Sequence, residues 1–433
     1  MTYSQAIDYI MSRRKFQKSS SHERIRRLLE LLGSPHKKLN FVHVVGTNGK
    51  GSVSTALSCI MTECGCRTGL FTSPYIIKFN ERIKVDGEFI PDDAVAEITS
   101  LIKEKTDLME KEDLHPTVFE VTTALAMVYF ERTGCDIVIL EAGIGGKNDS
   151  TNVIDRKLLS VVTSVSEDHT EMLGSTVAEI AEEKCGVILP GTPAVSYPFT
   201  SKDSLFTPQH PDAARVISRV CERNGSPLTV PDTENLSVIQ SDITGTTFRY
   251  KNFNVRVNLC GSHQVGNMLT VIESATALRK QGYTINDESI VKGIGSFTIP
   301  GRTEIISRSP LIILDGGHNE GCLRALRQTL CTFLPDERLT LLCAFMKDKE
   351  YVKSLGYILP LFENAVFTCT DPIRGEKAEI LRQIAAPYCP SFCEEDTAAA
   401  LKKALSLTEG ALIVCGSFYL VSEVRKILND SQS

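Results

Sequence analysis

The apolar run Phe41-Val42-His43-Val44-Val45 breaks abruptly into Gly46-Thr47-Asn48-Gly49-Lys50-Gly51-Ser52, after which Val53 to Met61 reads as the start of a helix. Few local patterns constrain a fold as tightly. An uninterrupted apolar strand suits a parallel sheet buried on both faces, and such a sheet needs helical crossovers. The glycines let backbone N–H groups turn toward an anion, and the following helix adds the positive end of its dipole. Lys50 is placed to reach β- and γ-phosphates, and the Ser52 hydroxyl to sit on Mg²⁺. The spacing departs from the usual Walker form, because only Thr47 and Asn48 separate Gly46 from Gly49 and an extra Gly51 precedes Ser52. A plain tight βα turn would need the glycines but neither the lysine nor the hydroxyl. ATP is therefore the expected ligand, cradled by Gly46, Thr47, Asn48, Gly49, Lys50, Gly51 and Ser52.

The rest of the chain supports an α/β reading. Helical stretches are expected at Met1 to Arg14, His22 to Leu32, Pro91 to Leu108, Thr117 to Arg132, Val177 to Cys185 and Gly266 to Gln281. Strands are expected at Thr68 to Phe71, Asp136 to Glu141 and Leu158 to Thr163, with a hairpin turning at Asp86-Gly87. Strands alternating with helices imply a mostly parallel sheet with helices on both faces. Alternation between Ser237 and Leu259 predicts antiparallel hairpins instead. Ile299-Pro300-Gly301-Arg302 reads as a linker. After it, strands near Leu311 to Leu314, Leu339 to Cys343, Ala365 to Thr368 and Ala411 to Val414 predict a second, smaller Rossmann-like α/β domain. The expected division is 1–299 and 300–433.

Composition narrows the function classes. At 433 residues the chain is too long for one small core, and 42% apolar with 23% charged residues is ordinary for a globular protein. A net charge of −6 provides no basic field for nucleic acid or an anionic membrane. No signal-peptide pattern stands near the N-terminus, where Arg13, Arg14 and Lys15 follow the apolar residues rather than precede them, and no apolar stretch approaches a membrane span. The 14 cysteines are scattered, several in apolar runs, as expected of reduced thiols in a cytoplasmic protein. Cys64-Gly65-Cys66 is too tight for the usual zinc spacing and has no partner pair.

Beyond the phosphate loop, two strand ends carry chemistry. Glu141 closes the run Ile137 to Leu140 and precedes Gly143, Gly145 and Gly146, a position from which a carboxylate can hold Mg²⁺. His169 follows the next strand, with Asp168 as its partner or as an N-cap. Lys184, on the last turn of a helix, is by itself ordinary dipole complementation. Gly261 to Asn267 opens a helix with amide groups able to read a purine edge. Asp315, after the strand Leu311 to Leu314, can accept from ribose hydroxyls, and Asn319 can cap the next helix. Arg302 is a candidate clamp on phosphates from across a domain cleft.

Taken together, these residues resemble the folylpolyglutamate synthase/dihydrofolate synthase family of the Mur ligase superfamily. The motifs, in the family's order, are Gly46 to Ser52, Phe71-Thr72-Ser73-Pro74, Phe79-Asn80-Glu81-Arg82-Ile83, Glu141 to Gly146, Asp149-Ser150-Thr151-Asn152 and Asp168-His169. Glu183-Lys184-Cys185-Gly186, His263-Gln264, Pro300-Gly301-Arg302, Asp315-Gly316-Gly317-His318-Asn319 and Gly416 to Val421 continue the series. The resemblance implies an ATP-dependent amide ligase. It phosphorylates a folate or dihydropteroate carboxylate, and the amine of L-glutamate then displaces phosphate. It further implies that Ser52, Ser73, Glu141 and His169 hold one or two Mg²⁺ ions, and that Lys50, Lys184 and His169 serve catalysis. Lys184 matches the family's carbamylated lysine, and Asn267, Arg302, Asp315 and His318 would contact ATP. Thr72 to Arg82 matches the loop near the pterin-bearing substrate, and a monomer is expected.

Departures from the family pattern are Tyr75 in place of His, Lys147 in place of Arg, Ser164 to Glu167 before Asp168, and Ala344 to Lys349, which keeps Lys-Asp-Lys but lacks the preceding glycine. Two other readings stand beside the first: a Mur-type ligase acting on a cell-wall precursor, and a nucleotide-gated binding protein without ligase activity. The short stretch ahead of Gly46 leaves no room for the nucleotide-sugar domain usual in the former. The metal constellation is superfluous in the latter.

Overall fold

The computed structural model describes residues 1–14 and 22–430; Lys15 of the basic run and residues 431–433 of the second expected domain lie outside them. Among the described residues the first sheet has eight strands: β1 (Phe41–Val45), β2 (Thr68–Phe71), β3 (Ile83–Val85), β4 (Glu88–Phe89), β5 (Ile137–Glu141), β6 (Leu159–Val162), β7 (Ala194–Ser196) and β8 (Leu228–Thr229). They lie in the order β4-β3-β2-β5-β1-β6-β7-β8. From β2 to β8 neighbours are parallel, while β3 and β4 form the expected antiparallel hairpin at one edge.

The central strand is apolar throughout because both faces are covered. Val42 and Val44 enter a core with the helices Lys50–Glu63, His263–Lys280 and Asp287–Ser296. Phe41 enters the opposite core with Tyr3–Met11, Glu23–Leu31, Asp92–Met109 and Val118–Arg132. Residue by residue, the period-two alternation of a strand assigns each side chain to one layer. Strands β9 (Leu236–Asp242), β10 (Gly245–Tyr250) and β11 (Phe253–Val257) make the expected antiparallel sheet and add Phe248, Tyr250, Phe253, Val255 and Val257 to the first core.

A second sheet contains β12 (Glu304–Arg308), β13 (Leu311–Leu314), β14 (Leu339–Cys343), β15 (Asn364–Phe367), β16 (Ser391–Cys393) and β17 (Ala411–Cys415), ordered β12-β13-β17-β14-β15-β16. Only β12 runs antiparallel to its neighbour. Its two faces are also covered by helices, Glu320–Phe333, Tyr351–Ile358 and Ala378–Ala385 on one side, Thr397–Leu407 and Phe418–Asp430 on the other. Ile76, from the segment after β2, packs into this second core.

Differences from the sequence expectations have local causes. The helix after the phosphate loop begins at Lys50, not Val53, because Gly49 takes a left-handed φ of 88° and ends the loop at once. The strands β7, β8, β12 and β16 and the helices Pro211–Arg223 and Asp287–Ser296 carried no expectation. The strands among them are short and partly polar, and their pairing comes from longer neighbours. Among the described residues no helix is long and apolar enough to cross a membrane, and the cysteines are all free.

Candidate functional site

Parallel strands β1, β5 and β6 release their loops at one end of the first sheet, where ligands gather in open α/β sheets. The loop after β1 is held from below by the loop after β6. Thr47 N and Asn48 N donate to Ser164 O at 2.8 and 3.2 Å, and Thr47 Oγ1 donates to Ser166 O at 3.0 Å. Gly46 has φ 151°, and a Cβ there would overlap Thr163 Oγ1; a Cβ on Gly49 would overlap Asn267 Oδ1. The glycines are thus required by close approach as well as by backbone conformation. Asn267 borders the loop from the long helix His263–Lys280, its amide donating to Gln264 Oε1 at 3.0 Å.

Lys50 opens the helix and curls back, its Nζ donating to Gly46 O at 3.0 Å and Thr47 O at 3.2 Å. Lys184 reaches the same loop from the helix Val177–Cys185, donating to Gly46 O at 2.9 Å. Although it stands on a last turn, it is buried and not a surface charge paired with the dipole. Burial, then the Lys50 ammonium, pushes the Lys184 amine down from 10.5 to about 7. Its helix end is fastened to the loop after β5. Lys147 N donates to Glu183 O at 2.7 Å, Asn148 N to Glu183 Oε1 at 2.9 Å, and a Cβ on Gly146 would meet the Lys184 backbone. Asp149 shapes that loop by accepting from Gly143 N at 3.0 Å and Ile144 N at 2.9 Å.

Glu141 is buried at the end of β5 and accepts from Ser73 N at 3.1 Å. Burial pushes its carboxyl up to about 7, against the pull of Lys50, Ser73 N, Arg302 and Arg82. A Cβ on Gly51 would lie 3.8 Å from Glu141 Oε2, which puts the carboxylate beside the first helical turn, where Ser52 is buried. Glu141, which burial makes reluctant to ionise, thus stands beside the turn that carries Ser52 and the backbone of Ser73, three residues whose side chains offer oxygen. That is a donor set suited to Mg²⁺, whose charge would hold the carboxylate ionised.

His169 completes a different part of the site. Its Nε2 lies 3.3 Å from Lys349 Nζ, and the same ammonium pairs with Asp168 Oδ1 at 2.8 Å. Burial, Lys349, Lys184 and Lys50 lower the imidazole pKa despite Asp168. Burial would raise Asp168, but Lys349, His169 and His318 outweigh it and hold the carboxyl well below the usual range. Asp168 does not act as an N-cap; the residue preceding the short helix Thr170–Leu173 is His169 itself. Asn319 does cap the helix Glu320–Phe333, accepting from Cys322 N at 2.9 Å. It also exchanges amide hydrogen bonds with Asn48, at 3.0 and 3.3 Å, and donates to Asp168 Oδ2 at 3.1 Å. The second sheet therefore closes directly onto the phosphate loop and the His169 loop.

Asp315 accepts from Thr303 N at 2.8 Å and Thr303 Oγ1 at 2.9 Å through Oδ2, and from Gly317 N at 2.7 Å through Oδ1. Most of its acceptor capacity is spent inside the protein. Arg302 stacks over Phe418 at 4.6 Å, and the His318 ring meets the same phenyl at 5.9 Å. Burial pushes the His318 and His263 imidazoles down to about 4. The sequence reading passed over Lys349, although Lys347-Asp348-Lys349 was visible as a motif. It also gave Asn48 no role other than in the loop, since neither contact has a local signal.

Comparison with known proteins fits this geometry. The Mur ligase middle domain profile matches residues 44–275, and that of the "Mur ligase, glutamate ligase domain" matches residues 301–418. The Bacillus subtilis dihydrofolate synthase/folylpolyglutamate synthase is 33% identical over 98% of this chain and 99% of its own. The Lacticaseibacillus casei folylpolyglutamate synthase is 32% identical over the full length of both chains, 100% and 100%. Among solved structures, the Mycobacterium tuberculosis folylpolyglutamate synthase complexed with ADP superposes with a TM-score of 0.88 at 26% identity, covering 98% of each chain. E. coli FolC in complex with DHPP and ADP superposes at 0.86 with 27% identity, covering 100% of this chain and 99% of its own.

Proposed function

We infer the reaction of this chain from its family: it belongs to the folylpolyglutamate synthase/dihydrofolate synthase branch of the Mur ligases, and it is an ATP-dependent ligase acting on folates. L-glutamate is the amino acid it adds, to dihydropteroate, to tetrahydrofolate or to both. The observation that carries this reading is the end-to-end match to those synthases, with Lys50, Glu141 and Lys184 gathered around one phosphate loop.

The chemistry follows from charge. A carboxylate oxygen of the acceptor attacks the γ-phosphorus, the bond to the β-phosphate oxygen breaks, and ADP leaves an acyl phosphate. The glutamate amine then attacks the acyl carbon; a C–N bond forms, the C–O bond breaks, phosphate departs and the amine sheds a proton. In the first step two anions meet, so the site must offer positive charge that is already in position. Lys50 swings from its own loop carbonyls to the β- and γ-phosphates. The amides of Gly46 to Ser52 line the triphosphate, and Asn267, Arg302, Asp315 and His318 hold the nucleotide from the sides. Ser52, Ser73 and Glu141 would hold Mg²⁺, which supplies charge neutralisation of the phosphates when bound. His169, which stands beside Lys349 in this structure, would be the fourth ligand to that ion. The lowered pKa of Lys184 leaves free amine near neutrality, the form that adds CO₂, and a carbamate there would face the ammonium of Lys50.

Closure of the second unit through Asn319 and Lys349 keeps water from the acyl phosphate. We divide the chain into domains at 299/300 and assign it to the cytoplasm as a monomer. Phosphate release from ATP with L-glutamate tests the reaction, offering dihydropteroate, tetrahydrofolate or a UDP-muramyl acceptor in parallel and reading product masses. One added glutamyl unit on a folate acceptor is the expected result; turnover with the muramyl acceptor alone would refute it.

A further inference from the structure

Among the described residues, Arg82 is a guanidinium without an acceptor. It ends the turn Phe79–Arg82, and its backbone carbonyl accepts from Thr72 N at 2.9 Å. Phe71 is in register with Ile83 on one side and with Leu140 on the other, so Arg82 stands at the same sheet end as Glu141. Its Nε is buried with no hydrogen-bond partner, and among the described residues its side chain makes no hydrogen bond or ion pair. The Cζ lies 5.0 Å from the centre of the Tyr75 ring, and Tyr419 of the second unit, Glu141 and Glu81 are near enough to act on its charge.

Neither acid serves as its partner. Glu81 spends its oxygens on the amides of Ile76, Ile77 and Lys78, each at 2.8 Å, which fixes the loop rather than the arginine. Glu141 accepts from Ser73 N and faces Gly51. An arginine cannot escape its charge by deprotonation, so a half-buried fork with no acceptor is costly unless an anion arrives. The planar fork matches a carboxylate in two parallel bonds. The triphosphate already has Lys50, a glycine loop and Arg302, whereas the carboxylate that attacks it has no cation assigned.

We propose that Arg82 receives the reacting carboxylate of the pteroate-type acceptor and aims one of its oxygens at the γ-phosphate. This rests on the ligase reading above. Tyr75 backs the guanidinium, and Glu81 holds the loop that carries it. Once the acyl phosphate forms, the same fork faces its new negative charge.

Calorimetric titration of the full chain in Mg-ADP, with glutamate omitted, tests this with dihydropteroate and its carboxamide analogue. The wild type should prefer the carboxylate by roughly tenfold to a hundredfold, the range of a charge-assisted hydrogen-bonded pair. Arg82→Gln should bind the two compounds equally while ADP affinity holds. Arg82→Lys, which keeps the charge but not the fork, should retain only part of the preference, and it decides the matter should the glutamine variant fail to fold. Wild-type discrimination surviving in both variants would overturn the proposal. A wild type that binds neither compound would instead remove the ligase reading and this role with it.

Discussion

Replacing Lys184 with methionine should stabilise the protein while abolishing ligation, and the stabilisation should depend on pH in one direction only. The amine is buried, and its pKa falls from 10.5 to about 7, with burial the largest cause and Lys50 the next. Between those values the unfolded chain binds a proton that the folded chain does not, so stability rises with pH across the window from about 7 to 10.5. At about pH 7.5 the penalty is roughly three pKa units, or about 4 kcal/mol, and by about pH 10 it shrinks to about 1 kcal/mol. Methionine removes the whole term but also loses the hydrogen bond to Gly46 O, costing about 1–2 kcal/mol. The variant should therefore be more stable by about 2 kcal/mol at pH 7.5 and no more stable than wild type near pH 10. Urea unfolding at both pH values, in bicarbonate-free buffer so that the amine stays unmodified, measures the gap. A gap that is absent at pH 7.5, or that widens with pH, would show that Lys184 is not a desolvated amine. Neutral-pH activity near wild type would separately remove it from catalysis.

Lys50→Met should cut phosphate release by roughly 10²–10³ without lowering the melting temperature, because the ammonium bonds only carbonyls of its own loop; turnover within a few-fold of wild type would refute the loop assignment. Glu141→Gln should raise the Mg²⁺ concentration for half-maximal phosphate release by about tenfold or more, since one oxygen ligand loses its charge. An unchanged Mg²⁺ titration would exclude Glu141 from the metal site. Gly46→Ala should weaken ATP binding and cost about 1–3 kcal/mol, because the new Cβ overlaps Thr163 Oγ1 at a φ of 151°; nucleotide titration and thermal melting would each expose an error.

How far the sequence reached depended on how local each signal was. The phosphate loop was legible because its parts lie within one strand, one turn and one helix start. Strands β1, β5, β14 and β17 were legible because burial on both faces leaves them apolar throughout. The short strands β7, β8 and β16 have no such pattern; they exist because a longer neighbour offers unpaired backbone groups. Glu141 and His169 could be marked as strand-end residues, but not the different surroundings each receives, the Ser73 amide for one and the Lys349 ammonium for the other.

By itself the sequence determined the α/β class, the strand–glycine-loop–helix unit at Phe41 to Glu63 and the family, since each is written in contiguous residues whose spacing limits the backbone. Tertiary structure alone decided the charge states and the partners. Lys184 reads as a helix-end lysine until the loop after β5 buries it and Gly46 takes its hydrogen bond. Lys349 meets Asp168 across 181 positions, and Asn319 meets Asn48 across 271. Such contacts leave no periodicity to read. They arise where two separate sheets meet, and burial at that junction, rather than residue type, sets what each group can do.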